Sequence, residues 1–344
     1  MIGRHDVNNA LLHRLDIKLI LATGLTGFVG RHLAPLLAAK YGGISVLAIV
    51  NISDSSEEEM RQRSALNRLG IQIIAKDLAM EGTFVEIPEG IRCIIHLASN
   101  TLTSSNDHSI NENSIQLLLA GCEKSVIQPP LFVFASTIAV YDNVNSTVRP
   151  ADEQTSIREP LTQYGRSKLA SELLLRQSDK VRGVVIRVPG VFGNGVRPNG
   201  LFDLVDSLSQ KGSLLSRLNY PGQIGIVHVI SLAEFICAIT DLHLNGDTSA
   251  SKVTYLPITE TLSYAELFRR QTLKSGRQYK VIKVPGFVWY FLRLVLKSLL
   301  KLELIIPHRV HNAIWQVFLV VSDSFYCVPK TTWGGISVEH RAFP

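Results

Sequence analysis

Short, predominantly apolar runs recur along the first half of the chain, separated by stretches in which apolar positions return every three or four residues. Ile17–Thr23 (IKLILAT) is the first run and Ile44–Val50 (ISVLAIV) the second. Ile71–Ala75 (IQIIA), Cys93–Leu97 (CIIHL), Leu131–Ala135 (LFVFA) and Val184–Val188 (VVIRV) continue the series. Runs of this length with little alternation predict strands buried on both faces. Between them Leu33, Leu36, Leu37 and Lys40, then Ile115–Lys124 and Tyr164–Arg176, carry the helical period. Strand alternating with helix predicts an α/β fold built on a doubly wound parallel sheet. After Pro189 Gly and Pro become frequent through Gly200, and the alternation loses its regularity.

Composition narrows the class without changing that picture. The chain has 344 residues, 46% hydrophobic and 19% charged, enough for one large domain or two coupled ones and incompatible with disorder or coiled coil. The formal charge of +6 is spread without any block of five like charges, so no nucleic-acid partner is expected. Cys93, Cys122, Cys237 and Cys327 are far apart with no ligand spacing, which predicts neither disulfides nor a metal site. The opening residues lack an apolar signal-like core, so a cytoplasmic location is expected.

Candidate chemistry begins where the first strand ends, in Thr23-Gly24-Leu25-Thr26-Gly27-Phe28-Val29-Gly30. Between a first strand and a first helix, Gly24 permits a tight turn, Gly27 admits a pyrophosphate and Gly30 lets helix pack on strand. The expected cofactor is NAD or NADP. The end of the second strand, Val50-Asn51-Ile52-Ser53, offers neither the acid nor the base that would choose between them, and Glu57-Glu58-Glu59 reads as a solvated helix face ahead of Arg61 and Arg63. The chain therefore divides into a dinucleotide-binding Rossmann domain over 17–188, completed by 226–257, and a smaller C-terminal substrate-binding region over 189–225 and 258–344. Residues 1–16 form an N-terminal extension.

Tyr164 and Lys168 lie four apart, on one face of a helix, where an ammonium stabilises a phenolate and lets the tyrosine shuttle a proton. The strand LFVFA runs into Ser136-Thr137, which puts hydroxyls at the carboxyl end of a parallel strand, a place that serves either ligand contact or helix capping. In combination these motifs resemble the extended short-chain dehydrogenase/reductase family, the NAD-dependent epimerase/dehydratase group, over about Ile17 to Leu242. TGLTGFVG is similar to the family's glycine turn, Asp77-Leu78 to its adenine-contacting pair, and His96-Leu97-Ala98-Ser99 to its HLAA strand end. Asn111 with the helix at Leu118–Cys122, FVFASTIAVYD, Pro150 to Lys168, and Arg187-Val188-Pro189-Gly190-Val191-Phe192-Gly193 match later family segments. The resemblance implies that Thr137 binds the substrate oxygen, Tyr164 is the acid/base, and Lys168 holds the nicotinamide ribose and tunes the tyrosine. It implies cofactor contacts at Gly24, Thr26, Gly27, Phe28, Val29, Gly30 and Asn51, at Asp77, Leu78, Leu97, Ala98 and Ser99, and at Ser136, Val188 and Pro189.

The substrate class implied by the resemblance is a nucleotide sugar, handled by an epimerase or 4-keto reductase. Three departures bear on that class, and the missing diphosphate arginine together with the apolar segment at 285–306 favours an alternative, a reductase or dehydrogenase of a hydrophobic alcohol or ketone. Ser231 replaces the acid of the family's HVxDxA segment, the diphosphate-binding arginine before it is replaced by Gly222–Ile226, and Gly190 stands where several epimerases carry a substrate-binding asparagine. Arg197 and Arg217 are the cations that could substitute. A remoter reading is a non-catalytic dinucleotide-sensing scaffold, against which Thr137, Tyr164 and Lys168 all count. The substrate is expected under Val191–Pro198, Phe202 and Tyr220–His228. Residues 285–306 predict an amphipathic helix, with Arg293, Lys297 and Lys301 opposite a row of Trp289, Leu292, Leu296, Leu299 and Leu300. Core packing and peripheral membrane contact are both readings of it, and a homodimer is the candidate assembly.

Overall fold

The computed structural model describes residues 19–53, 56–79, 85–101, 107–125, 128–143, 150–196, 200–245, 252–302, 306–322, 325–333 and 335–344. Among them a seven-stranded sheet is formed by β1 (Leu19–Thr23), β2 (Val46–Val50), β3 (Gln72–Ala75), β4 (Ile91–His96), β5 (Leu131–Thr137), β6 (Arg182–Val188) and β9 (Val253–Tyr255), in the order β3-β2-β1-β4-β5-β6-β9. Each neighbouring pair runs parallel. The apolar runs are continuous because both sheet faces are covered. On one face α1 (Gly30–Tyr41) and α6 (Val229–Asn245) bury Leu33, Leu37, Leu232 and Ile236. On the other, α3 (Ser109–Ser125) and α4 (Gln163–Gln177) bury Ile115, Leu118 and Leu175. α2 (Glu57–Arg68) links β2 to β3. The doubly wound sheet expected from the sequence is the fold observed, and its strand order reverses between β1 and β4, where such sheets hold ligands.

Beyond β6 the chain builds a second layer. β7 (Gly190–Phe192) pairs in parallel with β8 (Gln223–His228), which pairs antiparallel with β10 (Glu260–Ser263). α5 (Leu201–Gln210), α7 (Tyr264–Lys274), α8 (Gly286–Leu300) and α9 (His308–Val321) surround this small sheet, and β11 (Thr332–Trp333) with β12 (Ile336–Ser337) forms a terminal hairpin. Phe268, Trp289, Leu296, Trp315 and Phe318 are buried together with Ile224 and Ile226 in a core separate from those of the large sheet. The predicted row on α8 is observed, with Trp289, Leu296 and Leu300 buried. The cations are not opposite it: Arg293 and Lys297 are half-buried and Lys301 is exposed, each one position along from a row residue and so about 100° round the helix.

Candidate active site at the carboxyl ends of the parallel strands

The turn after β1 is shaped by close backbone approach. Gly24 has φ +73°, and a Cβ there would stand 2.6 Å from the Ala98 nitrogen. At Gly30 a Cβ would stand 2.0 Å from the Gly24 carbonyl oxygen, so both positions exclude a side chain on packing grounds alone. Gly27 differs, because its Cβ would meet only the Gly24 oxygen, at 3.2 Å. α1 starts with no side-chain cap and no acid in its first turn, leaving the positive end of its dipole to an anion. His96 fixes the strand ends on either side. Thr23 Oγ1 accepts from the Ala98 N–H (3.1 Å) and is hydrogen-bonded to His96 Nδ1 (2.7 Å), while His96 Nε2 is hydrogen-bonded to Ser114 Oγ (3.0 Å). Burial lowers the His96 pKa to about 3, with Lys168 adding to the effect, and the ring is a neutral structural clamp.

Thr137 ends β5 and its Oγ1 accepts from the Ala139 N–H at 3.1 Å, capping a short 3₁₀ turn over Ile138–Tyr141. Accepting there leaves the hydroxyl hydrogen to be donated into the cavity, so the capping and ligand readings hold together. Asp142 positions the helix that carries the tyrosine. It accepts from the N–H groups of Leu161 (2.6 Å) and Thr162 (3.1 Å) and from the Thr162 hydroxyl (2.8 Å), while Thr162 caps α4 at the Gly165 N–H. Burial pushes the Asp142 carboxyl up to about 7 against those hydrogen bonds. Tyr164 lies on the first turn of α4 beside His108, their ring centroids 5.7 Å apart.

Lys168, one turn on, is 2% exposed. Its Nζ donates to the Ala135 carbonyl at 2.9 Å and sits 4.7 Å from the Phe134 ring centroid. Burial lowers its pKa to about 7, with Glu172 pulling upward. Glu172 is itself buried in a bidentate pair with Arg187 (3.1 and 2.8 Å) and accepts from Ser136 Oγ at 2.5 Å, while Arg187 also donates to the Tyr141 hydroxyl. The sequence reading missed Glu172, Asp142 and His108. The signal for Glu172 was an acid repeating the four-residue step from Tyr164 and Lys168 on a helix face that is otherwise buried.

A cavity of about 890 Å³ joins these groups. Of the predicted cofactor contacts, the Gly24–Gly30 turn residues, Leu97, Ala98, Ser99, Ser136, Val188 and Pro189 line it, as do Thr137, Tyr164 and Lys168. Asn51, Asp77 and Leu78 are not among its lining residues. Asn51 accepts from Ser53, Asp77 from the Ala79 N–H, and Leu78 is buried in the hydrophobic core. The acidic stretch is a solvated face, with Glu57 and Glu58 exposed and Glu59 half-buried. Glu58 and Glu59 also border the cavity beside Arg31, whose guanidinium donates to the Gly195 carbonyl (2.5 Å) and lies 3.4 Å from Glu58. The Ser99 hydroxyl is buried in the wall with no hydrogen-bond partner among the described residues. An open Gly27, an uncapped helix start and an unpaired hydroxyl on one wall fit a dinucleotide.

The opposite end is apolar. Val191, Phe202 and Ile224 line it as expected, joined by Trp315, Leu319 and Phe325, which the sequence reading did not single out. Tyr220 is not at the wall: it stacks with Phe268 and Trp289, and His228 meets Phe192 edge-on. Arg217 is also absent from the wall, its Nε donating to the Lys280 carbonyl at 2.8 Å, and Arg197 and Pro198 lie outside the described residues. A Cβ at Gly190 would stand 3.0 Å from Ile224 Cδ1 and 3.3 Å from the Gly225 oxygen, too tight for an asparagine without a shift. Ser231 is buried against Arg341.

The family model described as NAD dependent epimerase/dehydratase family matches residues 20–210. The chain is 31% identical over 195 residues to a Bacillus subtilis (strain 168) protein described as an uncharacterized UDP-glucose epimerase, YtcB, covering 53% of this chain and 60% of that one. It is 22% identical over 276 residues to a ceramide reductase of Caulobacter vibrioides, covering 76% of this chain and 72% of that one. The match to UDP-glucuronate 4-epimerase 1 of Arabidopsis thaliana is 27% and covers 56% and 46%. The chain thus spans 60% of the length of YtcB and 46% of that of the Arabidopsis thaliana epimerase. Among solved structures, gox2253 superposes with a TM-score of 0.65 at 21% identity, over 87% of this chain and 88% of that one. A Bacillus cereus UDP-glucuronic acid 4-epimerase in complex with a nucleotide sugar and NAD gives 0.61 at 19% identity, over 77% and 85%. At these identities the superpositions establish the shared fold.

Proposed function

Since the chain belongs to the NAD-dependent epimerase/dehydratase family, we propose that it is a nicotinamide-dependent oxidoreductase interconverting a ketone and a secondary alcohol on a largely apolar substrate. The observation that carries this reading is the end of the cavity beyond Thr137. Phe202, Ile224, Trp315, Leu319 and Phe325 wall it, and among the described residues the lysine and arginine that line the cavity, Lys168 and Arg31, both belong to the cofactor half. An apolar wall rewards an apolar ligand by roughly 25 cal/mol per Å² buried, and the described residues of this wall offer a diphosphate no counter-charge. The ceramide reductase supports the same reading by covering more of both sequences than the YtcB and Arabidopsis thaliana epimerase matches, at 22% identity against 31% and 27%.

With its pyrophosphate held at the glycine turn, a nicotinamide cofactor would supply or accept the hydride. The residues of the chain do the rest. Thr137 donates a hydrogen bond to the carbonyl oxygen, and Tyr164 passes its phenolic proton to that oxygen as it becomes an alcohol. The Lys168 ammonium, held between the Ala135 carbonyl and the Phe134 ring, favours the phenolate left behind until solvent returns the proton. The Glu172–Arg187 pair keeps a negative charge within reach of that ammonium and opposes its loss on burial. We propose NAD as the preferred cofactor, because Glu58 and Glu59 at the outer end suit a ribose diol and repel a 2′-phosphate.

A second reading, a nucleotide-sugar epimerase, is favoured by the names of several relatives. Two assays on purified protein separate the readings: a long-chain ketone in micelles with NADH, and a nucleotide sugar with NAD, its 4-epimer followed by chromatography. An epimerase returns its hydride and consumes no NADH. NADH oxidation with the long-chain ketone is expected, and turnover of the nucleotide sugar alone would transfer the assignment.

A further inference from the structure

α8 is apolar on two opposite faces. Its inner row of Trp289, Leu296 and Leu300 packs into the core shared with Trp315 and Phe318 of α9. On its far side Phe287, Phe291, Leu294 and Val295 are exposed, the two phenylalanines by 64% and 62%, and Leu302 is exposed in the turn that follows the helix. At 3.6 residues per turn the four on the helix fall in one strip centred roughly opposite the inner row, with Ser298 the polar residue among them. A helix that met only water on that side would carry polar residues there. Along one edge, between the two apolar faces, run Arg293, Lys297 and Lys301.

We propose that α8 lies in the headgroup layer of an anionic bilayer, with its outer strip against the acyl boundary and its basic edge on lipid phosphates. Charge argues for this occupant. From Lys274 to Lys301 the chain carries seven basic residues and no acidic one. Lys274, Arg277, Lys280 and Lys283 of that set are exposed. Burial and the neighbouring charges of Lys301, Arg158 and Arg293 all lower the Lys297 pKa, and Asp142 opposes them. A second copy docked on this face about a twofold axis would bring the same cations together, whereas an anionic surface neutralises them. Aromatic and aliphatic residues on one side with Lys and Arg at the edge are what an in-plane helix presents. Among the described residues no helix is long and apolar enough to cross a membrane, and the outer strip from Phe287 to Leu302 extends about 22 Å. α9, whose Trp315 and Leu319 wall the cavity, is the packing partner of α8, so the apolar end of the site stands one helix from the proposed surface. The surface lies outside the family match at 20–210 and does not depend on which ketone is reduced.

The test is sedimentation of the full chain with vesicles of phosphatidylcholine containing phosphatidylglycerol, and with phosphatidylcholine alone, at low salt. Binding is expected to the anionic vesicles and to be lost at high salt. The combined Lys283→Gln, Lys297→Gln and Lys301→Gln variant should bind about 100-fold more weakly. Phe291→Ser with Leu294→Ser should also release the protein, and thermal melts close to wild type would show both variants folded, since the outer strip is exposed. Wild-type protein that ignores anionic vesicles overturns the proposal. Equal binding to both vesicle types, unaffected by the lysine changes, also overturns it. So does a solution dimer that Phe291→Ser splits while vesicles are ignored, which would make the strip a self-interface.

Discussion

Between Gly24 and Gly30 the cavity wall is largely backbone, held by contacts within a few residues of one another and clamped to β4 through Thr23 and His96. Between Phe202 and Phe325 it is side chains, drawn from α5, β8, α9 and the segment after α9. The first end presents N–H groups, a helix dipole and hydroxyls, and the second presents hydrocarbon. One end is thus written in a local spacing of glycines and tolerates few changes. The other is assembled from distant residues whose only common property is that they are apolar. A cavity built this way can keep one cofactor while its substrate end is rebuilt by unrelated substitutions.

The sharpest way to break that comparison is at the glycines. Gly27→Val should fold and lose nicotinamide binding, because its side chain enters the cavity with only the Gly24 oxygen nearby, at 3.2 Å. Gly30→Val should fail to fold, because its Cβ has no room beside Gly24. Circular dichroism with nicotinamide fluorescence titration reads both, and unaltered titration in folded Gly27→Val would remove the dinucleotide assignment. Next in size, Tyr164→Phe should lower kcat by about 10²–10⁴-fold with cofactor affinity kept. Lys168→Met should lose both rate and affinity. Full activity in Tyr164→Phe would end the proposed mechanism.

The smallest effect concerns stability. Burial places the folded-state pKa of Lys168 at about 7, below an unfolded value near ~10.4. Between those values the unfolded chain holds the proton and the folded chain does not. Stability of the cofactor-free protein therefore gains from this group as pH rises through the window, by about 1 kcal/mol per unit, and below about 7 the gain is absent. Denaturant midpoints of wild type against Lys168→Met from pH about 7 to about 10 should diverge in that sense, and parallel curves would show that the lysine does not titrate there.

Much of the first end was legible because its causes are local. Short continuous apolar runs such as LFVFA, alternating with helical stretches, read as doubly covered strands, and the GxxGxxG turn between strand and helix has few other uses. The second end was not. Trp315, Leu319 and Phe325 carry the same helical and apolar texture as Trp289 or Phe318, and only the tertiary packing sends some to the cavity and others to the core. Tyr220 shows the converse, since a residue expected at the substrate is spent stacking on Trp289. Glu172 was hidden because a buried acid looks like a solvated one until Arg187, which reaches it from β6, is seen beside it. On α8 the period was read correctly, but the side of the helix that faces away from the core could not be found without knowing which apolar row packs.

The central claim, a polar dinucleotide end joined to an apolar substrate end, is tested most directly by kcat/KM for NADH-dependent reduction of a homologous series of ketones differing only in alkyl length. Each methylene buried against Phe202, Trp315 and Leu319 is worth about 0.8 kcal/mol at full burial, so kcat/KM should climb by up to about 4-fold per methylene until the cavity is filled. A series that stays flat or falls with chain length, in an enzyme that reduces a short polar ketone well, would contradict the account.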